Sequence, residues 1–122
     1  MEFSRMGVAP ERPYVSAVIA DGRFVFVSGQ TPTRDGKMLD GSIGDQTSAV
    51  LQNIAAILDS AGAGLQDVVR CGVFLADLSQ LAEFNAAYTA AFGARLPART
   101  TVGASLPGYG VEIDCIALLP RG

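Results

Sequence analysis

The chain has 122 residues, is 49% hydrophobic and carries a net charge of −3 with a pI near 4.7. That is one domain with enough apolar content for one core; an acidic chain whose eight Arg and one Lys are scattered singly argues against nucleic acid as the main partner. It has no His, the commonest general base and metal ligand, and its two cysteines, Cys71 and Cys115, are far apart in sequence and cannot build a metal site alone, so neither metal nor organic cofactor is expected.

Both cysteines sit in apolar runs and are expected to be buried free thiols, which suits a reducing compartment. No apolar run reaches ~20 residues, and Met1–Pro10 lacks the apolar stretch of a secretory signal. The expected setting is cytoplasmic, with no membrane partner.

Residues 1–13 read as irregular, closed by Arg12-Pro13. Ser16–Ala20 and Arg23–Ser28 read as two strands, and Asp21-Gly22 between them predicts a hairpin. Thr31–Gly41 is a polar loop with Pro32, Asp35-Gly36 and Asp40-Gly41, and room for a short strand near Met38. A helix over about 45–61 follows, with Ser42 and Asp45 resembling a capping box and Gly62 as its stop. Val50, Leu51, Ile54, Ile57, Leu58 and Ala61 make its apolar stripe.

Val68–Ala76 is a strand. A second helix over about 79–92 starts at Asp77, stops at Gly93 and turns Leu81, Phe84, Tyr88 and Phe92 inward; Asn85 is expected to cap it or bridge to a loop. Arg99–Ser105 and Val111–Leu119 complete the sheet. The order is ββαβαββ, an α+β domain spanning 1–122 with a mixed sheet and no linker. Right-handed crossovers place both helices on one face.

The open face is unusual. Phe24 and Phe26 oppose Val25 and Val27, and Val68, Phe74 and Ala76 oppose Val69, Cys71, Val73 and Leu75. Strands apolar on both sides are covered on both sides. Another subunit is the simplest cover, a local loop the alternative.

Lys37, the only lysine, lies in a predicted exposed turn and has neither the desolvation nor the neighbouring cation that imine chemistry requires. Ala61-Gly62-Ala63-Gly64 ends a helix, whereas a phosphate loop begins one. The informative segment is Leu96–Val102. Alternation puts Arg99 and Thr101 on one strand face, and Glu112 and Asp114 on one face of the last strand. On neighbouring strands these charges can be plain ion pairs. They can also form a site: a guanidinium fork for one carboxylate, a Glu to hold a water or take its proton, hydroxyls from Thr101 and Ser28, and room over Gly29.

Six segments resemble, in order and spacing, the Rid (YjgF-like, RidA-like) family of reactive-intermediate deaminases. They are Pro13–Ala17, Phe26–Gln30, Phe74–Leu78, Phe84–Tyr88, Pro97–Val102 and Val111–Asp114, and the likeness runs from about residue 12 to 119. The resemblance implies a chorismate-mutase-like α+β fold, a homotrimer with sheets inward in a barrel-like assembly, and sites in clefts between subunits. It implies cofactor-free hydrolysis of 2-imino and 2-enamino acids, such as 2-iminopropanoate and 2-aminoacrylate, to the keto acid and ammonia. Arg99 then matches the carboxylate-binding arginine and Glu112 the glutamate that holds the water; Tyr14, Ser28 and Gly29 match lining positions. Thr101 falls where Cys is frequent, Asp114 where Glu is common, and the Gly108-Tyr109-Gly110 link is short, which points to a subgroup with its own substrate size. The other readings are a keto-acid sensor without turnover, a deaminase of a larger aminoacrylate-like intermediate, and the endoribonuclease label the family has carried, which the acidic charge and absent His disfavour.

Overall fold

The computed structural model describes residues 3–9 and 11–121, apart from the side chain of Phe3. The strands are β1 (Phe3–Met6), β2 (Ala17–Ala20), β3 (Phe24–Gln30), β4 (Thr33–Arg34), β5 (Lys37–Met38), β6 (Val68–Leu75), β7 (Ala98–Gly103) and β8 (Val111–Leu118). The helices are α1 (Ile43–Ser60) and α2 (Leu81–Phe92). The architecture is α+β, as the element order predicts.

The central sheet has the order β3-β8-β6-β7, with only the β6–β7 pair parallel. Both helices cover one face. Val27, Cys71, Val73, Leu75, Val111, Ile113, Cys115 and Ala117 of the sheet form one core with Val50, Leu51, Ile54 and Leu58 of α1 and Phe84, Tyr88 and Phe92 of α2. Burying each large apolar side chain stabilises the fold by roughly 1.5–3 kcal/mol, so this layer is what holds the sheet flat against the helices.

The helix ends follow their sequence signals. Ser42 caps α1, its hydroxyl accepting from the Asp45 amide at 3.1 Å. Gly62, at φ +85°, ends it, with Gly62 N–H donating to Asp59 and Ala63 N–H to Leu58, the paired bonds of a Schellman motif. Asp77 accepts from the Ser79 amide at 2.9 Å in the 3₁₀ turn that leads into α2, and Gly93 (φ +62°) closes that helix.

Three sequence expectations are corrected. Asp21-Gly22 does not make a β2–β3 hairpin. β2 pairs with β1, which the sequence read as irregular, and β3 pairs with β8 instead. Gly22, at φ +134°, opens the link rather than folding it back; the true two-residue hairpin is at Asp35 (φ 54°) and Gly36 (φ 77°), where β4 meets β5. Second, β7 and β8 are not neighbours, because β6 lies between them. Third, a register shift between Val68 and Arg70 exchanges two valines: Val68 enters the helix-side core, and Val69 lines a groove on the other side.

That groove, about 390 Å³, runs between β2 and the open sheet face and is walled by Val18, Phe24, Phe26, Val69 and Ile116, among others. The two-sided apolar strands are therefore real: Phe26 is 74% exposed in the single chain.

Ser42→Ala removes the α1 cap and is expected to cost about 1 kcal/mol, read as a lower urea midpoint with unchanged slope at fixed protein concentration.

Candidate functional site

Arg99 is placed by backbone pairing on both sides. β7 runs parallel to β6 with Arg99 opposite Cys71, and the Val15 amide donates to the Pro97 carbonyl at 3.2 Å. The second contact draws residues 12–16 alongside β7 and brings Tyr14 to Arg99. Sharing a register position with core residue Cys71 turns Arg99 to the helix side. Its guanidinium carbon lies 4.9 Å from the ring centroid of Tyr88, 5.3 Å from Phe84 and 5.7 Å from Tyr14. Arg12 stands over Tyr14 as well, at 5.5 Å.

Such an aromatic box attracts a cation through the negative ring faces. Among the described residues the box contains no carboxylate in ion-pair contact with Arg99. Desolvation pulls the guanidinium below its ordinary value, opposed by Tyr88, Cys71 and Tyr14, and it remains a cation. Its Nη1 is buried without a hydrogen-bond partner.

Two more buried polar atoms share that condition, Thr101 Oγ1 and Asn85 Oδ1, while the Tyr88 hydroxyl has only the weak thiol of Cys71 beside it. Thr101 is two residues beyond Arg99 on the same face; Asn85 lies one turn before Tyr88 on α2. A buried polar group left unpaired costs roughly 1–3 kcal/mol. A hydroxyl, an amide oxygen and a guanidinium nitrogen left this way mark groups with capacity to contact something polar from outside the chain. Asn85 was expected to cap or bridge, yet its Oδ1 does neither. Tyr88 and Phe84 were expected only as core, because helical spacing does not distinguish a ring that fills the interior from one that lines a site.

Glu112 is elsewhere. It pairs in register with Phe74, between the core residues Val111 and Ile113, and so points to the open face. The Tyr109 hydroxyl donates to Glu112 Oε1 at 2.9 Å, and this bond raises the Tyr109 phenol above its ordinary value. On β3 the pairing with β8 slips between Val27 and Gln30, bringing Gly29 against Glu112; a Cβ there would collide with Oε2. Ser28 and Gly29 line a groove of about 440 Å³ with Arg70 and Asp114.

The structure thus gathers Arg99, Tyr14 and Thr101 on one face, and Glu112, Ser28 and Gly29 on the other. It does not bring the two sets together within one chain. The simple ion-pair reading applies to a different couple: Asp114 Oδ1 lies 4.0 Å from Arg70 and accepts from the Gly72 amide at 3.1 Å. Lys37 is exposed in its turn. Among the described residues, no group of three or more Cys, Asp or Glu side chains is placed to hold a metal ion, and no helix is long and apolar enough to cross a membrane.

A family model described as endoribonuclease L-PSP matches residues 5–119. A RutC family protein of Pyrococcus horikoshii is 41% identical over 119 residues, 94% of each chain. Protein mmf1 of Schizosaccharomyces pombe, named as mitochondrial, is 40% identical over 111 residues, 87% of this chain and 68% of that one. The crystal structure of RidA from an Antarctic Psychrobacter superposes with a TM-score of 0.75 at 34% identity over 94% of each chain. YyfB of Yersinia pestis, described as a Rid protein of unknown function, reaches 0.86 at 28% identity, over 98% of this chain and all of that one.

Cys71 and Cys115 are free, buried and directly opposite each other on β6 and β8. Burial pushes both thiols from the ordinary 9.0 up to about 12. Neither should react with a thiol reagent at pH 8 until the protein is unfolded in guanidinium, when both should. Because they ionise more easily unfolded than folded, their contribution to stability is complete below about pH 9 and is lost as pH rises toward 12; alkaline unfolding curves should show that fall.

Proposed function

We propose, since the chain belongs to the Rid (YjgF, endoribonuclease L-PSP) family, that it hydrolyses small 2-imino and 2-enamino acids of the 2-iminopropanoate and 2-aminoacrylate type to the 2-keto acid and ammonia. The observation that carries this reading is the boxed guanidinium of Arg99, charged, half-buried and without a carboxylate of its own. A planar monocarboxylate supplies the missing anion through a bidentate pair, and the rings of Tyr14, Phe84 and Tyr88 suit its flat conjugated body. Thr101 offers a hydroxyl within the same pocket.

The chemistry asks little of the protein. The 2-enamino acid gains a proton at C3 to become the imine. A water held by Glu112 adds to C2, its proton passing to the carboxylate as the new C–O bond forms. The carbinolamine then collapses: Glu112 returns its proton to nitrogen, C2–N breaks as C2=O forms, the hydroxyl proton is released to solvent and balances the one taken up at C3, and nitrogen leaves as ammonia. Positioning and charge placement supply the acceleration.

Arg99 and Glu112 face opposite sides of the sheet, so the reading requires them to come from different protomers. The exposed Phe24 and Phe26, with half-buried Ile116 beside them, support a homotrimer closed on that face. The net charge of −3 and absence of His favour a small acid over RNA. A cytoplasmic setting fits the free thiols, although mmf1 is named for another compartment.

The test is ammonia and pyruvate release when 2-aminoacrylate is generated in situ by a serine or threonine dehydratase. Wild type should accelerate both. Arg99→Ala should lose on the order of 10²-fold or more with an unchanged circular dichroism spectrum; full activity in that variant sinks the assignment. Binding of pyruvate without turnover would favour the sensor reading, and turnover of bulkier imino acids alone the larger substrate. Phe26→Asp should shift sedimentation toward monomer and abolish turnover with Arg99 and Glu112 intact.

A further inference from the structure

Glu112 reaches its position through a loop that the rest of the fold holds from two sides. Gly108 turns the chain at φ +83°. Both backbone groups of Gly110 are then tied: its N–H donates to Gln46 Oε1 at 2.8 Å, and its carbonyl accepts from the Ala76 amide at 3.0 Å. Gln46 is itself fixed in the first turns of α1, where its Nε2 donates to the Gly41 carbonyl at 2.9 Å. Tyr109 sits between these two glycines, and its side chain reaches forward to donate to Glu112 Oε1 at 2.9 Å.

The other oxygen, Oε2, lies against Gly29 on β3, so closely that any side chain there would displace it. The two carboxylate oxygens are therefore unlike. Oε1 is held by a phenol on an anchored loop; Oε2 faces the Ser28-Gly29 bulge.

We infer that Tyr109 is a positioning residue of the proposed deamination: it fixes the Glu112 carboxylate by Oε1 and leaves Oε2 as the oxygen that holds the attacking water and takes its proton. The inference rests on the hydrolytic reading given above and adds to it which oxygen acts and what holds it. The direction of the Tyr109 titration agrees, since a phenol donating to a carboxylate is harder to ionise. The charged groups near Glu112 on the same face are Asp114, one alternation further along β8, and Arg70 of β6, which engage each other; β3 contributes only Ser28 and Gly29 there. Tyr109 is thus the titratable group in direct contact with the carboxylate.

The experiment is steady-state kinetics of wild type, Tyr109→Phe, Glu112→Gln and the double variant, on 2-aminoacrylate generated in situ. Tyr109→Phe keeps the ring and removes the donor. It should lower kcat about tenfold and leave KM within about twofold, because Arg99 still holds the substrate carboxylate. In the Glu112→Gln background the same change should cost nothing further. A purely structural role would move the melting temperature and KM and would be additive with Glu112→Gln. Wild-type rates in Tyr109→Phe, or full additivity in the double variant, overturn the inference alone. No turnover by wild type on any small imino acid overturns the reading and the inference together.

Discussion

Burying the guanidinium of Arg99 under α2 is the interaction that organises the helix side of this molecule. Even partial removal of such an ion from water carries a desolvation cost, which is what lowers the Arg99 guanidinium below its ordinary value. Three ring faces offset part of that, at roughly 0.5–2 kcal/mol each. A carboxylate from the chain would offset more, yet none is supplied among the described residues. For stability that is a poor arrangement. For binding a monoanion it is a good one, because an internal carboxylate would compete with the ligand for the same fork. The rings depend in turn on α2. Phe84, Tyr88 and Phe92 stack along its inner face at 5.4 and 4.7 Å, so the helix that closes the core also builds the box.

The second constraint is parity. Side chains alternate across a strand with period two, and β6 registers both β7 and β8. Arg99 shares a row with Cys71 and Cys115; Glu112 shares a row with Phe74 and Val102. Those rows lie on opposite faces, and no rotamer carries a side chain through a sheet. Within one chain the Arg99 half and the Glu112 half are each well formed and mutually inaccessible. For the proposed hydrolysis, the apolar open face and the split site then become one requirement: the contact between protomers that covers Phe26 must also bring Glu112 of one copy to Arg99 of another.

Local signals in the sequence were read correctly where the physics is local. Ser42, Gly62 and Gly93 act within one helical turn and hold their expected positions, while Asp77 caps the 3₁₀ turn that precedes α2 rather than α2 itself. The placing of Arg99 with Thr101, and of Glu112 with Asp114, needed only strand alternation. What was not legible depends on distant partners. Asp21-Gly22 has hairpin chemistry, but β8 offers β3 a longer apolar partner, and β2 takes β1. The insertion of β6 between β7 and β8 reverses the idea that Arg99 and Glu112 lie side by side, and no short window of sequence encodes it. The single slipped residue at Val68–Arg70 is equally silent. Tyr88 and Asn85 were hidden by helical periodicity, and Tyr109 by a turn whose length did not show that its ring returns to a residue three positions on. The roles of the site residues come from the family resemblance, because an Arg and a Glu on strands are compatible with many chemistries.

Glu112 and Asp114 make the final distinction, because they start out alike. Each points to the open face from β8, and each sits over a glycine on an adjoining strand, Gly29 for Glu112 and Gly72 for Asp114, where a Cβ would crowd the carboxylate. Their surroundings differ. Asp114 Oδ1 takes the Gly72 amide and lies beside Arg70, so its charge is engaged within the sheet. Glu112 takes one neutral donor, the Tyr109 phenol, on Oε1 alone. A carboxylate engaged by a cation and an amide holds structure. One with a single neutral donor keeps an oxygen available to a water. The sheet thus sorts two adjacent acids by what stands opposite each, and the Gly108–Gly110 loop, which carries Tyr109, supplies the difference on which the proposed role of Glu112 rests.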